Sequence, residues 1–325
     1  MLAAYAARID PDNPLAGLEI GEVPNPAVPD GWVEVEVRAA ALNHHDVWSL
    51  RGQGLTEERL PMVLGCDAAG IDPDGNEVLV HSVISSPEWR GDDSLDPKRT
   101  LLSELHPGTL AERVAVPRHN LVPKPAALSF AEAACLPTAY LTAYRMLFTR
   151  SGLRAGDTVL IQGAGGGVAS AAIQLARAGG FRVWATSREE RKRAYAEELG
   201  AHAAFESGQR LPEKVDAVLE TVGEATWKHS LRALKPGGRI VVSGATSGFN
   251  PPADLPRIFF LQLEVVGSTM GSREELGQLV SLVDATGLRP RIDRTLPLAE
   301  VATGIEALVA GDVLGKIVVE VGSAG

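Results

Sequence analysis

One stretch restricts the fold more than any other. Thr158-Val-Leu-Ile161 is a short apolar, β-branched run that reads as a buried parallel strand. Gly163-Ala-Gly-Gly-Gly167 follows almost at once, and then Val168-Ala-Ser-Ala-Ala-Ile-Gln-Leu-Ala-Arg177, rich in helix formers and stopped by Gly179-Gly180. Strand, glycine turn and helix in this order form the context of a dinucleotide-binding fingerprint. Glycines let backbone N–H groups approach a pyrophosphate, and the helix N-terminus adds roughly half a positive charge there. The register is unusual. Gly163-x-Gly165-x-x-Val168 ends on the wrong residue, whereas Ala164-x-Gly166-x-x-Ala169 places a small residue in every slot. The competing reading is a tight glycine turn with no ligand.

The next strand bears on cofactor choice. Phe181-Arg-Val-Trp-Ala-Thr186 leads into Ser187-Arg188. An NAD site carries Asp or Glu about 20 residues past the glycines, to hold the ribose hydroxyls. A hydroxyl and a guanidinium suit a 2′-phosphate instead, with Lys192 and Arg191 adding charge one turn on. NADPH is therefore the expected cofactor. Glu189 is the contrary feature: were the strand two residues longer, it could be the ribose acid.

Composition narrows the rest. At 325 residues two domains are expected, and 45% hydrophobic with 22% charged residues describes a globular chain. A net charge of −10 disfavours nucleic acid and anionic membranes as partners. No apolar run is long enough to span a bilayer, and no signal-peptide pattern opens the chain. Cys66 and Cys135 lie far apart, which fits a reduced, cytoplasmic setting.

In chain order, residues 1–120 read as β-rich. Trp32-Val-Glu-Val-Glu-Val-Arg38 alternates like a half-exposed antiparallel strand, Glu77–Val80 and Leu110–Val116 are further strands, and Ser85–Ser103 is a polar surface loop. Ser129 with Glu132 forms a capping box for a helix, and a second helix runs from Thr138 to Arg150. Strand and helix then alternate: helix 189–199, strand Val215–Glu220, a helix to Leu234, strand Arg239–Gly244 and strand Leu263–Gly267. That rhythm predicts an α/β fold with a doubly wound parallel sheet. Helix 273–285, strand 291–296, helix 298–309 and strand Lys316–Glu320 complete the chain.

Ala41-Leu-Asn-His-His-Asp46, Leu64-Gly-Cys-Asp67, Leu121-Val-Pro-Lys-Pro-Ala126, Leu141-Thr-Ala-Tyr144, the glycine turn, Ala185-Thr-Ser-Arg188, Gly267-Ser-Thr-Met270 and Gly315-Lys316 together resemble the medium-chain dehydrogenase/reductase superfamily over essentially the whole length. The resemblance implies a GroES-like β-rich catalytic domain (1–122 and 271–325), interrupted by a Rossmann NADP-binding domain (123–270), with the active site in the cleft between them. Hydride would pass from NADPH to a carbonyl or an activated C=C bond. Zinc relatives bind their metal through Cys, His and a further Cys or Asp. Asn43, Cys66 and Thr138 stand at those positions, and Asn and Thr are poor zinc ligands. The four-cysteine structural zinc lobe is missing as well. Asn43 and the glycine turn look like the zinc-free quinone-reductase-like branch, so no metal is expected.

By the same resemblance, Thr138, Gly163, Ala164, Gly165, Gly166, Gly167, Val168, Ser187, Arg188, Lys192, Thr221, Val222, Ser243, Gly244, Ala245, Ser268, Thr269 and Lys316 hold the cofactor. Asn43 would hydrogen-bond the acceptor oxygen or the cofactor. His45, where zinc relatives have a hydroxyl relay, could donate a proton near neutral pH, with His44 as its rival. Asp67 is expected to pair with Arg51 or another base. Three functions compete: a metal-free NADPH reductase of quinones, enones or aldehydes; a zinc alcohol dehydrogenase rebuilt from Cys66, Asp67 and a histidine; and a non-catalytic NADPH-binding sensor. Substrate selection would fall to the loops 50–60 and 247–260. A homodimer is expected through strand 263–267 with Phe259 and Phe260 beside it, because a bare apolar edge invites pairing.

Overall fold

The computed structural model describes residues 1–322. The chain divides into two compact units, Met1–Ala139 with the segment from Ser272 onward, and Tyr140–Gly271. The first break falls after Ala139 rather than after residue 122, so the capped turn at Ser129 belongs to the first unit.

The first unit begins with ten strands: β1 (Leu2–Ala6), β2 (Leu18–Glu22), β3 (Trp32–Ala41), β4 (Met62–Val63), β5 (Asp67–Ile71), β6 (Glu77–Val80), β7 (Val83–Ile84), β8 (Thr100–Leu101), β9 (Arg113–Pro117) and β10 (Leu121–Pro123). Helix α1 (His44–Leu50) follows β3, and the short α2 (Phe130–Ala133) carries the Ser129–Glu132 capping box. β3 forms the spine. Val33, Val35 and Val37 point inward while Glu36 and Arg38 face water, as the alternation requires. On that inner face Val35 and Val37 join Leu42, Leu50, Leu64, Val80, Leu102 and Leu110 in one core.

The 85–103 segment is less of a surface loop than its polarity suggests. Asp96 is buried and accepts bonds from the Ser86 N–H (2.6 Å), the Ser86 hydroxyl (2.7 Å) and the Lys98 N–H (2.8 Å). Asp92 caps Ser94 in the same way, at 2.9 Å from its N–H and 2.6 Å from its hydroxyl. Carboxylates therefore fold this segment by satisfying backbone donors.

The second unit runs through helix α3 (Leu141–Tyr144), inside a helical stretch with π turns on either side, to β11 (Thr158–Ile161), α4 (Gly167–Ala178), β12 (Arg182–Ser187), α5 (Glu190–Glu198), β13 (Ala203–Glu206), β14 (Val215–Glu220), α6 (Glu224–Ala233), β15 (Leu234–Val242), α7 (Leu255–Phe260) and β16 (Glu264–Gly267). The six strands are all parallel, in the order β13-β12-β11-β14-β15-β16. The order reverses between β11 and β14, so the turn after β11 stands at the switch point where such sheets bind ligands. β15 starts at Leu234, earlier than Arg239, because Leu234 pairs with Val215 before the register shifts.

The chain then returns to the first unit with α8 (Arg273–Thr286), β17 (Ile292–Pro297), α9 (Val301–Ala310) and β18 (Lys316–Glu320). β18 pairs antiparallel with β3 and extends the main sheet, β10-β6-β5-β3-β18-β17. Among the described residues no helix is long and apolar enough to cross a membrane.

Candidate functional site

In the first unit, three strand ends converge because β3 lies between β5 and β18. Ala41 faces Asp67 across one ladder and Val318 across the other. The chain therefore delivers Asn43, Asp67 and Lys316 to one point. Lys316 is 2% exposed and Asp67 is fully buried. The Lys316 ammonium donates to Leu42 O (2.8 Å), Asn43 Oδ1 (2.7 Å) and Asp67 Oδ2 (2.9 Å), which uses all three of its hydrogens. Asn43 Nδ2 donates to Asp67 Oδ2 (2.9 Å) and Ala41 O (3.2 Å). Beneath them, Asp46 Oδ2 accepts from the Asn43 N–H (2.8 Å) and Oδ1 from the Gly65 N–H (3.1 Å). Burial pushes the Asp46 carboxyl up to about 7, against those two bonds and the Lys316 charge.

This geometry settles one expectation and changes two. Asp67 pairs with a base, and that base is Lys316 rather than Arg51. The Asn43 amide hydrogens are spent on Asp67 and Ala41 rather than left open for a substrate oxygen. Lys316 is committed inside the sheet instead of reaching a cofactor, because a buried ammonium needs its acceptors close at hand.

His45, the second residue of α1, lies beside this cluster. Its Nε2 lies 3.1 Å from Ser103 Oγ, 3.4 Å from Ser49 Oγ and 3.7 Å from Glu104 Oε1. Burial lowers His45 to about 4, with Asp67 opposing, so the ring is neutral at pH 7 and is not an imidazolium acid there. His44 is exposed on the same turn. Cys66 donates its thiol to Leu102 O (3.4 Å) and lies 3.7 Å from Ser103 Oγ. Burial, then the nearby Asp46, push that thiol well above its usual range.

These residues do not suit zinc. The Asn43 oxygen serves Lys316, Cys66 is held as a thiol, and Thr138 offers only a hydroxyl, which is buried and without a partner among the described residues. No group of three or more His, Cys, Asp or Glu side chains among the described residues could hold a metal.

In the second unit, the glycine turn is shaped for a ligand. Gly163 (φ +74°) and Gly165 (φ +114°) are left-handed. A Cβ on Gly163 would press Val222 at 2.6 Å, and one on Gly165 would strike the Lys192 stem at 2.8 Å. At Gly166, the N-cap of α4, a Cβ would meet nothing within 4 Å. Open space thus fronts a helix N-terminus, as a phosphate cradle requires. Ala164 is pinned by its N–H to Thr186 O (2.8 Å), and Gly167 and Val168 start the helix.

Thr221 and Val222, Ser243 to Ala245, and Ser268 with Thr269 follow β14, β15 and β16 at the same carboxyl edge of the sheet. The Ser243 N–H reaches Glu220 O (3.0 Å) and the Ser268 N–H reaches Val242 O (2.8 Å). The Ser268 hydroxyl is buried without a partner among the described residues.

β12 ends at Ser187, and Glu189 is the N-cap of α5, so the longer strand does not form. The Glu189 carboxylate is held by Lys192 (2.5 Å) and Arg191 (2.9 Å), whose hydrogen bonds draw its pKa down. Exposed Arg188 makes no hydrogen bond or ion pair among the described residues. Lys192 is therefore an internal partner, and Arg188 is the cation at liberty to meet an anion.

Sequence reasoning missed the polar chain beneath this edge. Buried Glu220 accepts from the Val222 N–H (2.8 Å), the Gly223 N–H (3.0 Å), Thr226 Oγ1 (2.9 Å) and Ser230 Oγ (2.6 Å). Gln162 donates to Ser230 Oγ (3.0 Å) and accepts from the Thr186 hydroxyl. The ends of β11, β12 and β14 are tied together by it. The only hint in the sequence was a carboxylate closing an apolar strand.

Comparison with known proteins reaches both units. Residues 29–126 match the alcohol dehydrogenase GroES-like domain, and residues 167–285 match the zinc-binding dehydrogenase family. An acryloyl-coenzyme A reductase of Metallosphaera sedula is 30% identical, over 93% of this chain and 96% of its own length. A solved NAD-dependent alcohol dehydrogenase is 34% identical with a TM-score of 0.91, covering 99% of this chain and 100% of that one. A crotonyl-CoA carboxylase/reductase, AntE V350A in complex with NADP, is 26% identical with a TM-score of 0.88, over 99% and 95%. Because this likeness runs through both units without a break, the chain belongs to the medium-chain dehydrogenase/reductase superfamily.

Proposed function

We propose that the protein is an NADPH-dependent reductase that moves a hydride to an electron-poor double bond without a catalytic metal. The acceptor is a quinone, an aldehyde, or the C=C of an enone or enoyl thioester; the thioester is suggested by the acryloyl- and crotonyl-CoA reductases among its relatives. The observation that carries the reading is the Lys316–Asn43–Asp67 cluster. It engages the oxygen of Asn43, which stands at one of the positions from which zinc relatives ligate metal, with a buried ammonium that also pairs with Asp67. The relatives divide between NAD and NADP, so the cofactor is argued from this chain's own unpaired Arg188.

The open cradle at Gly166 and the hydroxyls at Ser187 and Ser268 fit the cofactor, which supplies the hydride when bound. Asn43 braces the floor of the site through Asp67 and Lys316. His45, neutral at working pH, supports the acceptor oxygen as a hydrogen-bond donor, and solvent supplies the proton. We also propose a homodimer through β16.

The test is oxidation of NADPH with a naphthoquinone, an enone, crotonyl-CoA and an aldehyde, with and without a chelator, alongside metal analysis. Chelator-resistant turnover is expected. Stoichiometric zinc whose removal abolishes activity would overturn the metal-free reading, and tight NADPH binding with no turnover would favour a sensor.

A further inference from the structure

Ser103 has a backbone that serine rarely adopts. Its φ is +65°, in the left-handed region where a side chain is strained and glycine is at ease. It is also fully buried. A strained position that keeps a side chain directs attention to what the side chain does. Its hydroxyl lies 3.1 Å from His45 Nε2 and 3.7 Å from Cys66 Sγ. The thiol already donates to Leu102 O, and sulfur is a weak acceptor. The Ser103 hydroxyl therefore has one good acceptor, the imidazole Nε2. Buried Ser49 makes the same approach at 3.4 Å. The single lone pair of Nε2 serves the closer Ser103 hydroxyl, which leaves the ring proton on Nδ1. Nδ1 has no partner among the described residues. Glu104, 3.7 Å from Nε2, pulls the other way, at a distance too long for a hydrogen bond.

We propose that Ser103 is a positioning residue that fixes His45 as its Nδ1–H tautomer, so that Nδ1 is the donor the site presents to an acceptor oxygen. This rests on the reductase reading above. It deepens that reading by naming the atom that meets the substrate and the residue that sets it.

The experiment is ¹⁵N NMR of the full chain with labelled histidine at pH 7, with His45 assigned by loss of its signals in His45→Gln. The parent is expected to show a protonated Nδ1 and a bare Nε2 at His45. Ser103→Gly relaxes the backbone while deleting the hydroxyl. It should stay folded, shift the ring toward Nε2–H, and lower kcat by about 10- to 100-fold with NADPH affinity unchanged. An Nε2–H ring in the parent, or a Ser103→Gly protein with unaltered tautomer and kcat, overturns the proposal. A parent that reduces none of the four acceptors yet carries the Nδ1–H ring, with the ring shifted in Ser103→Gly, would sink the reductase reading alone and still support Ser103 as the residue that sets the tautomer.

Discussion

Lys316 carries its charge into a place with almost no water, and three oxygens make that tolerable. Removing it leaves the buried Asp67 facing Asn43 alone, with one carboxylate oxygen already lacking a partner. Lys316→Met should cost about 3–5 kcal/mol in urea unfolding, the range for breaking a buried pair. Adding Asp67→Asn should recover part of that loss, because the uncompensated charge goes with it. A double variant as unstable as the single one would show that the lysine stem, not the charge, matters. The histidines set a pH dependence. Burial lowers His45 and His81 from 6.5 to about 4, so between those values the unfolded chain binds more protons than the folded one. Their contribution is present above the unfolded value and is lost as pH falls through about 4. Asp46, raised from 3.8 to about 7, runs the other way and favours folding at low pH. Urea midpoints should rise from about pH 4.5 to 6.5, and His45→Gln should flatten the rise by up to about 1.4 kcal/mol per pH unit. An unchanged slope in that variant would mean that His45 titrates normally.

At the scale of elements, the proposed NADPH preference rests on the β12–α5 connection. Glu189 stands at the N-cap position of α5, and its carboxylate is held by Lys192 and Arg191 rather than left open for a ribose diol. Arg188 is left exposed. Arg188→Ala should weaken NADPH binding by about 1.5–3 kcal/mol and leave NADH affinity unaltered. Equal NADPH affinity in titrations of parent and variant would remove Arg188 from the site. The elements themselves were largely legible: β14 and β18 fall where the apolar runs put them, and the Ser129–Glu132 box forms as read. These are local signals of periodicity and capping. What was not legible is long-range. Lys316 and Asp67 meet only because β18 and β5 flank β3, and no spacing in the chain encodes that neighbourhood. Ser103 was invisible for a related reason, since a left-handed φ on serine is imposed by its surroundings rather than by its own preference.

At the scale of the whole molecule, the proposed homodimer follows from one sheet edge. The second unit ends its sheet at β16, which pairs with β15 on one side and, among the described residues, with nothing on the other. A free parallel edge of this kind is a liability in a monomer unless charge or a bulge blunts it. This edge is instead flanked by apolar side chains: Val265 is exposed, Phe259 and Leu255 are exposed on α7, and Phe260 is 77% exposed. Phe259 and Phe260 also touch each other, with centroids 4.5 Å apart and the rings tilted by 44°, so they form one apolar surface. A second copy related by a two-fold axis would place β16 against β16, satisfy both edges and cover the aromatics, and such isologous contacts close on themselves. Val265→Lys should block this, because two ammonium groups would be buried near the axis without partners. The dimer should then dissociate at least about 100-fold more readily, a change of roughly 3 kcal/mol. Light scattering at micromolar concentration, with NADPH titration to confirm that the nucleotide site survives, reads the outcome. A monomeric parent, or a Val265→Lys protein as dimeric as the parent, would place the contact elsewhere or nowhere.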